Sequence, residues 1–339
     1  MTKDFYHIDF PHHQAAHCEN GVTSNLLKHY GFNLSEPMVF GIGSGLFFSY
    51  MPFLKVNDIP VVSFRPWPGK IFNRITRRLG VKIQRSKFKD QKESMEALDR
   101  NLQQGIPTGC LVGVYHLTYF PPAYRFHFNA HNLVVVGREN GEYLISDPIM
   151  PTIERLTYHD LQRVRFARGT VPPKGRMYYI TGTSPGYDLK SAIVKGIHHT
   201  CKDMLTIPVP LFGVKGIRYL SRQMRKWPKK LGEKRAALYM GQVVRMLEEI
   251  GTGGAGFRFI YAAFLQEAAH ELGQPWLNDM SREMTAVGDK WREFAVIAGR
   301  IFKNRAGQEE TYKVAADILS DIALREEQIY RRLRQIKLT

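Results

Sequence analysis

The spacing of apolar residues changes part-way along the chain. Over residues 18–30, Val22, Leu26, Leu27 and Tyr30 fall on one side of a helix. A second helix is predicted over 90–104 (DQKESMEALDRNLQQ), stopped by Gly105 and Pro107. Strand-like runs follow: CLVGVY (110–115), NLVVVG (132–137), EYLISD (142–147) and RMYYITG (176–182). RENG, at 138–141, reads as a hairpin turn. Beyond about Pro185 only helical spacing remains, over roughly 188–205, 214–227, 233–250, 256–273, 278–303 and 308–336. Within 233–250, Ala236, Met240, Val243, Leu247 and Ile250 form one stripe. No internal repeat or low-complexity segment interrupts this order. The pattern predicts an α+β domain over 1–185 and an all-helical domain over 186–339.

One apolar stretch stands apart from this pattern. Pro37–Leu54 runs 18 residues without a charge, which reaches the length of a membrane span. It also carries Gly41, Gly43, Gly45 and Pro52, so a buried strand-and-loop segment is expected and no membrane span.

Composition adds three constraints. Hydrophobic residues make up 44% and charged residues 23%, which suits a soluble globular protein with a sizeable core. The cysteines, Cys18, Cys110 and Cys201, form no CxxC pair, so neither a zinc knuckle nor a disulfide framework is expected. That usage, with no secretory signal in MTKDFYHIDFPHHQ, fits a cytoplasmic protein. The formal charge is +17, from 48 basic and 31 acidic residues, which favours an acidic partner. The charge concentrates between Val214 and Arg235, where Arg218, Arg222, Arg225 and Lys229 share a predicted helix face. No zinc finger, RNA-recognition strand motif or helix-turn-helix signature is present, so nucleic acid is not the expected partner.

Candidate chemistry starts at Cys18, in HCENG, where the first helix should begin. A helix N-terminus favours a thiolate through its free N–H groups and partial positive charge. A nucleophilic thiol also needs a base, itself oriented by a third group. His131 opens one strand and Asp147 ends the next; His127 is the competing base. The hairpin between them decides whether they meet. With a two-residue Asn140-Gly141 turn, Glu139 pairs with Glu142, so Asp147 faces Val134 and lies on the face opposite His131. A Cys–His–Asp triad therefore predicts a three-residue loop or a bulge here. Other readings stand beside it: Cys18 as a buried structural thiol, Asp147 as a turn cap before Pro148, and His12, His13 and His17 clustered with Cys18 on a metal. No carboxylate or second cysteine lies at metal spacing, so no metal is expected.

Residues 12–182 resemble papain-like cysteine peptidases of the bacteriocin-leader-processing type. The shared features are the cysteine opening an N-terminal helix, the HxxVVVG strand and the strand ending in Asp-Pro. A resemblance to the butirosin-biosynthesis protein H family covers nearly the whole chain. It rests on HCENG (17–21), LSEPMVFGIGSGLFFSY (34–50), FRPWPG (64–69), RRLG (77–80), the histidine strand and GTGGAGFRFIYAAFLQEAA (251–269).

The resemblance implies a papain-like N-terminal domain that moves an acyl group from an acyl carrier protein thioester to an amine or hydroxyl acceptor in specialised metabolism. Cys18, His131 and Asp147 would be nucleophile, base and orienter. The helical domain would bind carrier and acceptor, with the face of Arg218, Arg222, Arg225 and Lys229 docking an acidic carrier. No cofactor would be bound directly; phosphopantetheine would arrive on the carrier. Gly43 and Ser44 would line the acyl or pantetheine channel. Gly253, Gly254 and Arg258 would form an anion cradle, or the glycines only a flexible helix–helix connection; Arg65 is a phosphate-binding candidate or a surface salt-bridge residue. Papain-like enzymes often place a glutamine before the cysteine as oxyanion donor. Gln14 is close for that role and His12 stands at the more usual distance, with His17 also nearby; the Cys18 backbone N–H is the other donor candidate. The alternatives are a papain-like hydrolase, either peptidase or thioesterase, and a non-catalytic basic binding module. A homodimer is left open.

Overall fold

A computed structural model describes residues 6–184 and 186–338. In chain order the elements are β1 (Tyr6–His7), α1 (Cys18–His29), α2 (Glu36–Ile42), β2 (Ser49–Val56), β3 (Ile59–Ser63), α3 (Lys70–Arg78), β4 (Lys82–Ser86), α4 (Gln91–Gln103), β5 (Thr108–Val112), β6 (His131–Glu139), β7 (Glu142–Ser146) and β8 (Glu154–Thr157). They continue with α5 (Tyr158–Arg165), β9 (Met177–Gly182), α6 (Leu189–Leu205), α7 (Gly213–Met224), α8 (Trp227–Leu231), α9 (Glu233–Val244), α10 (Arg258–Leu272), α11 (Trp276–Phe302) and α12 (Tyr312–Leu333). The fold class is α+β, with the strands early and the helices late, as the periodicity predicts.

The chain divides into two compact units. One takes the chain up to Val39 with Ile75–Tyr187; the other takes Phe40–Arg74 with Asp188 onward. The division is thus not the contiguous one expected at 185/186. The reason is the apolar stretch after Met38. Phe40 stacks on Phe257, and Phe48 and Phe64 both pack on Trp291, so this stretch shares the helical unit's core. Its local structure also departs from the strand-and-loop expectation, because Glu36–Ile42 is a helix and only Ser49–Val56 is a strand. Among the described residues no helix is long and apolar enough to cross a membrane.

The first unit is built on an antiparallel sheet of order β4-β9-β5-β6-β7-β8, with β1 joined to β6. β6 is buried at every position from His131 to Gly137, which explains its near-continuous apolar run. α1 lies against β6. Its first ten residues, Cys18–Leu27, are all buried, so the helix is enclosed around its circumference and not on one stripe alone. Leu98, Leu133, Val135, Tyr143 and Ile145 belong to the main core of this unit.

In the second unit, α11 packs on α10 and α12, and α12 packs on α7. At its centre Arg258 and Glu326 are both fully buried and bonded through Nε–Oε1 at 2.9 Å and Nη2–Oε2 at 3.1 Å. Trp291 Nε1 and Tyr330 OH donate to the same carboxylate. Removing one member of such a pair strands a buried charge, at a cost of about 3–5 kcal/mol. Glu326→Ala is therefore expected to lower the unfolding free energy by that order in a urea titration followed by helical circular dichroism. Arg225→Ala, which breaks the exposed pair with Asp317, should leave it close to wild type. Equal effects from the two variants would contradict this packing.

Candidate active site

Cys18 is the first residue of α1, capped by His17, whose Nδ1 accepts from the Asn20 N–H. The approach to the helix is fixed from two sides. Ala15 N–H donates to the Pro148 carbonyl at 2.8 Å, and Ala16 and His17 N–H donate to the Glu36 carboxylate at 2.8 and 2.9 Å. Gly21 sits one turn into the helix, where an added Cβ would fall 2.5 Å from Pro148. That glycine lets α1 press its first turn against the end of the β6–β7 hairpin.

The hairpin solves the register problem with a bulge. Its turn has two residues, Asn140 and Gly141, at φ of 52° and 83°, and Glu139 pairs with Glu142. This turn alone would send His131 and Asp147 to opposite faces. The register shifts between Val135 and Gly137, however, so Val135 pairs with Ile145 and Val134 with Ser146. One extra residue on β6 turns the whole end of β7 over. Asp147, following Ser146, comes to the His131 face, and His131 Nε2 lies 2.7 Å from Asp147 Oδ2.

Asp147 is fully buried and held by two further donors. Tyr119 OH donates to Oδ2 at 2.8 Å, and Ile149 N–H donates to Oδ1 at 3.1 Å. Phe120 packs edge-on against the His131 ring. With Nε2 taken by Asp147, Nδ1 is the nitrogen left to hydrogen-bond the Cys18 thiol, which the ring does. Burial opposes charging of this ring, but the anionic forms of Asp147 and Cys18 outweigh it and raise His131 to about 10. An imidazolium so held favours thiolate at its neighbour, the state that attacks carbonyl carbon. The other two cysteines have no such partner: burial pushes the Cys110 thiol up, and the Cys201 thiol up to about 12.

The remaining near-site candidates fall elsewhere. His127, the competing base, is exposed and stacked on Tyr115. Gln14 is exposed. Both His12 nitrogens are engaged, Nδ1 with Ser146 Oγ at 2.8 Å and Nε2 with the Met150 carbonyl at 3.1 Å. Among the described residues, no group of three or more His, Cys, Asp or Glu side chains is placed to hold a metal ion. Two residues that the sequence did not single out do belong to the site: Tyr119, through Asp147, and Asn132, whose Nδ2 lies 4.0 Å from Cys18 Sγ. Asn132 adjoins His131 in the strand, a position that in hindsight was the available signal.

A family model described as a domain of unknown function, DUF4872, matches residues 159–333, more than half of the chain. The chain belongs to that family. A second model, butirosin biosynthesis protein H, N-terminal, matches residues 17–148. That match starts one residue before Cys18 and ends one residue after Asp147, so all three site residues lie within it. Together the two matches give the two-part architecture that the resemblance implies. Among solved structures, a chain described as a C39-like peptidase from Bacillus anthracis is similar at 12% identity and a TM-score of 0.37, over 54% of this chain and 100% of that one. No curated protein matches.

Several candidates lie in the helical unit, which includes most of the DUF4872 match. Arg258 is wholly buried and committed to Glu326, so it is a core residue and not an anion ligand. The glycine cradle is likewise occupied from within. Gly254 N–H donates to Thr252 Oγ1, and Ala255 N–H donates to the Glu248 carboxylate, which would repel an anion. Gly253 and Gly254 instead supply left-handed backbone at φ of 66° and 87°. Gly43 and Ser44 are buried at the end of α2, where Ser44 Oγ donates to the Gly196 carbonyl. Arg65 is half-buried just after β3. The expected single basic face is broken, because α7 ends at Met224 and Lys229 belongs to α8. Arg218 and Arg225 are paired with Glu327 and Asp317, and Arg222 lies over the Tyr219 ring.

The raised His131 value fixes a pH dependence. Its folded-state value lies above the free-imidazole 6.5, so its stabilising contribution is complete below that pH and is lost as pH rises through about 10. The Tm gap between wild type and His131→Gln is therefore expected to be widest below pH 6.5 and to shrink as pH approaches 10. A gap that widens over the same range would contradict the assignment.

Proposed function

We propose that the chain is a papain-like cysteine acyltransferase. In this reading Cys18 takes an acyl group from an acyl carrier protein thioester and passes it to an amine or hydroxyl acceptor. The observation that carries the reading is the buried Cys18–His131–Asp147 arrangement at the mouth of an enclosed helix, inside the match to butirosin biosynthesis protein H, N-terminal. The resemblance to that family implies the acyl donor and the amine acceptor.

The chemistry balances with these residues. The Cys18 thiolate attacks the thioester carbonyl, forming the Sγ–C bond. The tetrahedral adduct collapses, the C–S bond to pantetheine breaks, and the departing thiolate takes its proton from the His131 imidazolium. The acceptor amine then attacks acyl-Cys18 while neutral His131 removes its proton. The C–Sγ bond breaks, regenerating the thiolate–imidazolium pair and releasing amide. Thioester-to-thioester exchange costs little free energy, so amide formation supplies the drive. Asp147, held by Tyr119 and Ile149, keeps the ring oriented through both steps.

Carrier proteins are generally acidic, and exposed Arg222, Lys226, Lys229, Lys230, Lys234 and Arg235 supply a complementary surface on the helical unit. This surface remains the proposed docking site even though Arg218 and Arg225 are neutralised by carboxylates. The rival is a hydrolase with the same three residues, in which water takes the place of the acceptor.

Intact-protein mass after brief incubation with acylated carrier protein, or with short acyl-pantetheine thioesters, separates the readings. An acyl adduct is expected on wild type and absent from Cys18→Ala, and amines should discharge it faster than water. Discharge by water alone would favour the hydrolase. Retained turnover in Cys18→Ala would overturn both.

A further inference from the structure

The arrangement around Cys18 leaves one chemical task unassigned. A tetrahedral adduct on Sγ places negative charge on the former carbonyl oxygen, and that oxygen needs a preorganised donor. The side chains expected from the residues before the cysteine are turned to other tasks. Gln14 is exposed, both His12 nitrogens are bonded elsewhere, and His17 caps α1 by accepting from the Asn20 N–H. We infer that Asn132 is the side-chain oxyanion donor, and that Tyr178 is the residue that positions it. The inference rests on Cys18 being the acylated nucleophile.

The geometry follows from the sheet. Asn132 and Val134 share one face of β6; Val134 pairs with Gly109 of β5, and Gly109 pairs with Tyr178 of β9. Gly109 has no side chain, and a Cβ there would meet the Tyr178 ring at 2.4 Å. The ring therefore lies across the β5 backbone and reaches Asn132. Tyr178 OH donates to Asn132 Oδ1 at 2.9 Å. This places the amide NH2 on the other side, where one N–H points to the Ala130 carbonyl at 3.4 Å and the other to Cys18 Sγ at 4.0 Å.

The orientation of the amide is decided by Ala130. A reversed amide would bring its oxygen against the Ala130 carbonyl oxygen, two acceptors facing each other. With the amide so turned, the Tyr178 hydroxyl, kept protonated by burial well above the usual tyrosine range, donates to Oδ1. Asn132 is only 3% exposed and Tyr178 8%, so the amide is largely shielded from water. An acyl oxygen lies one bond beyond the carbon joined to Sγ. A donor 4.0 Å from the sulfur is thus placed to come within about 2.7–3.1 Å of that oxygen once the adduct forms. Asn132 needs no pKa near neutrality for this role, only a fixed direction, and the tyrosine gives it one.

Two reactions of the same thiol separate an oxyanion donor from a structural residue. Acylation by p-nitrophenyl acetate passes through an oxyanion; alkylation by iodoacetamide displaces iodide at a saturated carbon and does not. The nitrophenyl ester also acylates independently of the natural donor, so it tests Asn132 even if no carrier thioester reacts. In Asn132→Ala the nitrophenolate burst from Cys18 is expected to slow by about a hundredfold to a thousandfold, with the alkylation rate of Cys18 unchanged. Tyr178→Phe leaves the amide in place but frees its direction, and should slow the burst by about threefold to tenfold, again without changing alkylation. Equal losses in both reactions would mean that the residues only hold the Cys–His pair, and would overturn the inference. So would an unchanged burst in Asn132→Ala, or a wild-type enzyme that alkylates readily but shows no burst. A wild type that gives the burst but takes no acyl group from any carrier or pantetheine thioester would overturn the proposed acyl donor and leave Asn132 in place.

Discussion

One extra residue in β6 governs the chemistry available to this chain. The tight Asn140-Gly141 turn sets strand pairing at Glu139–Glu142, and by the alternation of side chains it would place His131 and Asp147 on opposite faces of the sheet. The bulge between Val135 and Gly137 reverses that outcome for everything after Ile145. It brings a fully buried carboxylate within 2.7 Å of a buried imidazole. Two buried groups of that kind are costly apart and stable together, so each explains the other's position. The surroundings then follow from satisfying the carboxylate: Tyr119 and the Ile149 N–H occupy its remaining acceptor sites.

The thiol is delivered to this pair by a separate set of constraints. α1 is enclosed in the sheet-bearing unit, and its first turn is fixed against Pro148 by the missing side chain of Gly21. Glu36 collects two backbone N–H groups from the segment just before the helix. HCENG, Glu36 and the Asp-Pro dipeptide are thus parts of one arrangement that locates Cys18 Sγ between the His131 ring and the Asn132 amide. The helical unit has its own centre, the Arg258–Glu326 pair capped by Trp291 and Tyr330. Its conspicuous glycines serve backbone conformation and close helix packing.

Much of this was legible from spacing alone. Period-3.6 and period-2 patterns located α1, α4, the hairpin and the late helices, and the turn residues narrowed the ways His131 and Asp147 could meet to a three-residue loop or a bulge. What spacing could not supply was long-range partnership. The assignment of Phe40–Arg74 to the helical unit depends on aromatic contacts with Phe257 and Trp291, more than 200 residues away in sequence. Arg258 resembled an anion ligand because its partner, Glu326, lies 68 residues on. Tyr119 and Asn132 carried no motif: their roles come from where β5, β6 and β9 set them. The side-chain donor candidate does not precede the cysteine in the chain; it stands across from it, on the strand.

The central claim is that Cys18 and His131 form a thiolate–imidazolium pair oriented by Asp147. The most direct test is the rate of Cys18 alkylation by iodoacetamide as a function of pH, in wild type and in His131→Ala. Wild type should react rapidly at neutral pH, well before free thiols ionise, and His131→Ala should lose at least about tenfold there and recover only as pH passes the free-thiol range near 8.5. Identical profiles for the two proteins would show that ionisation of the thiol does not depend on the histidine, and would contradict the pair.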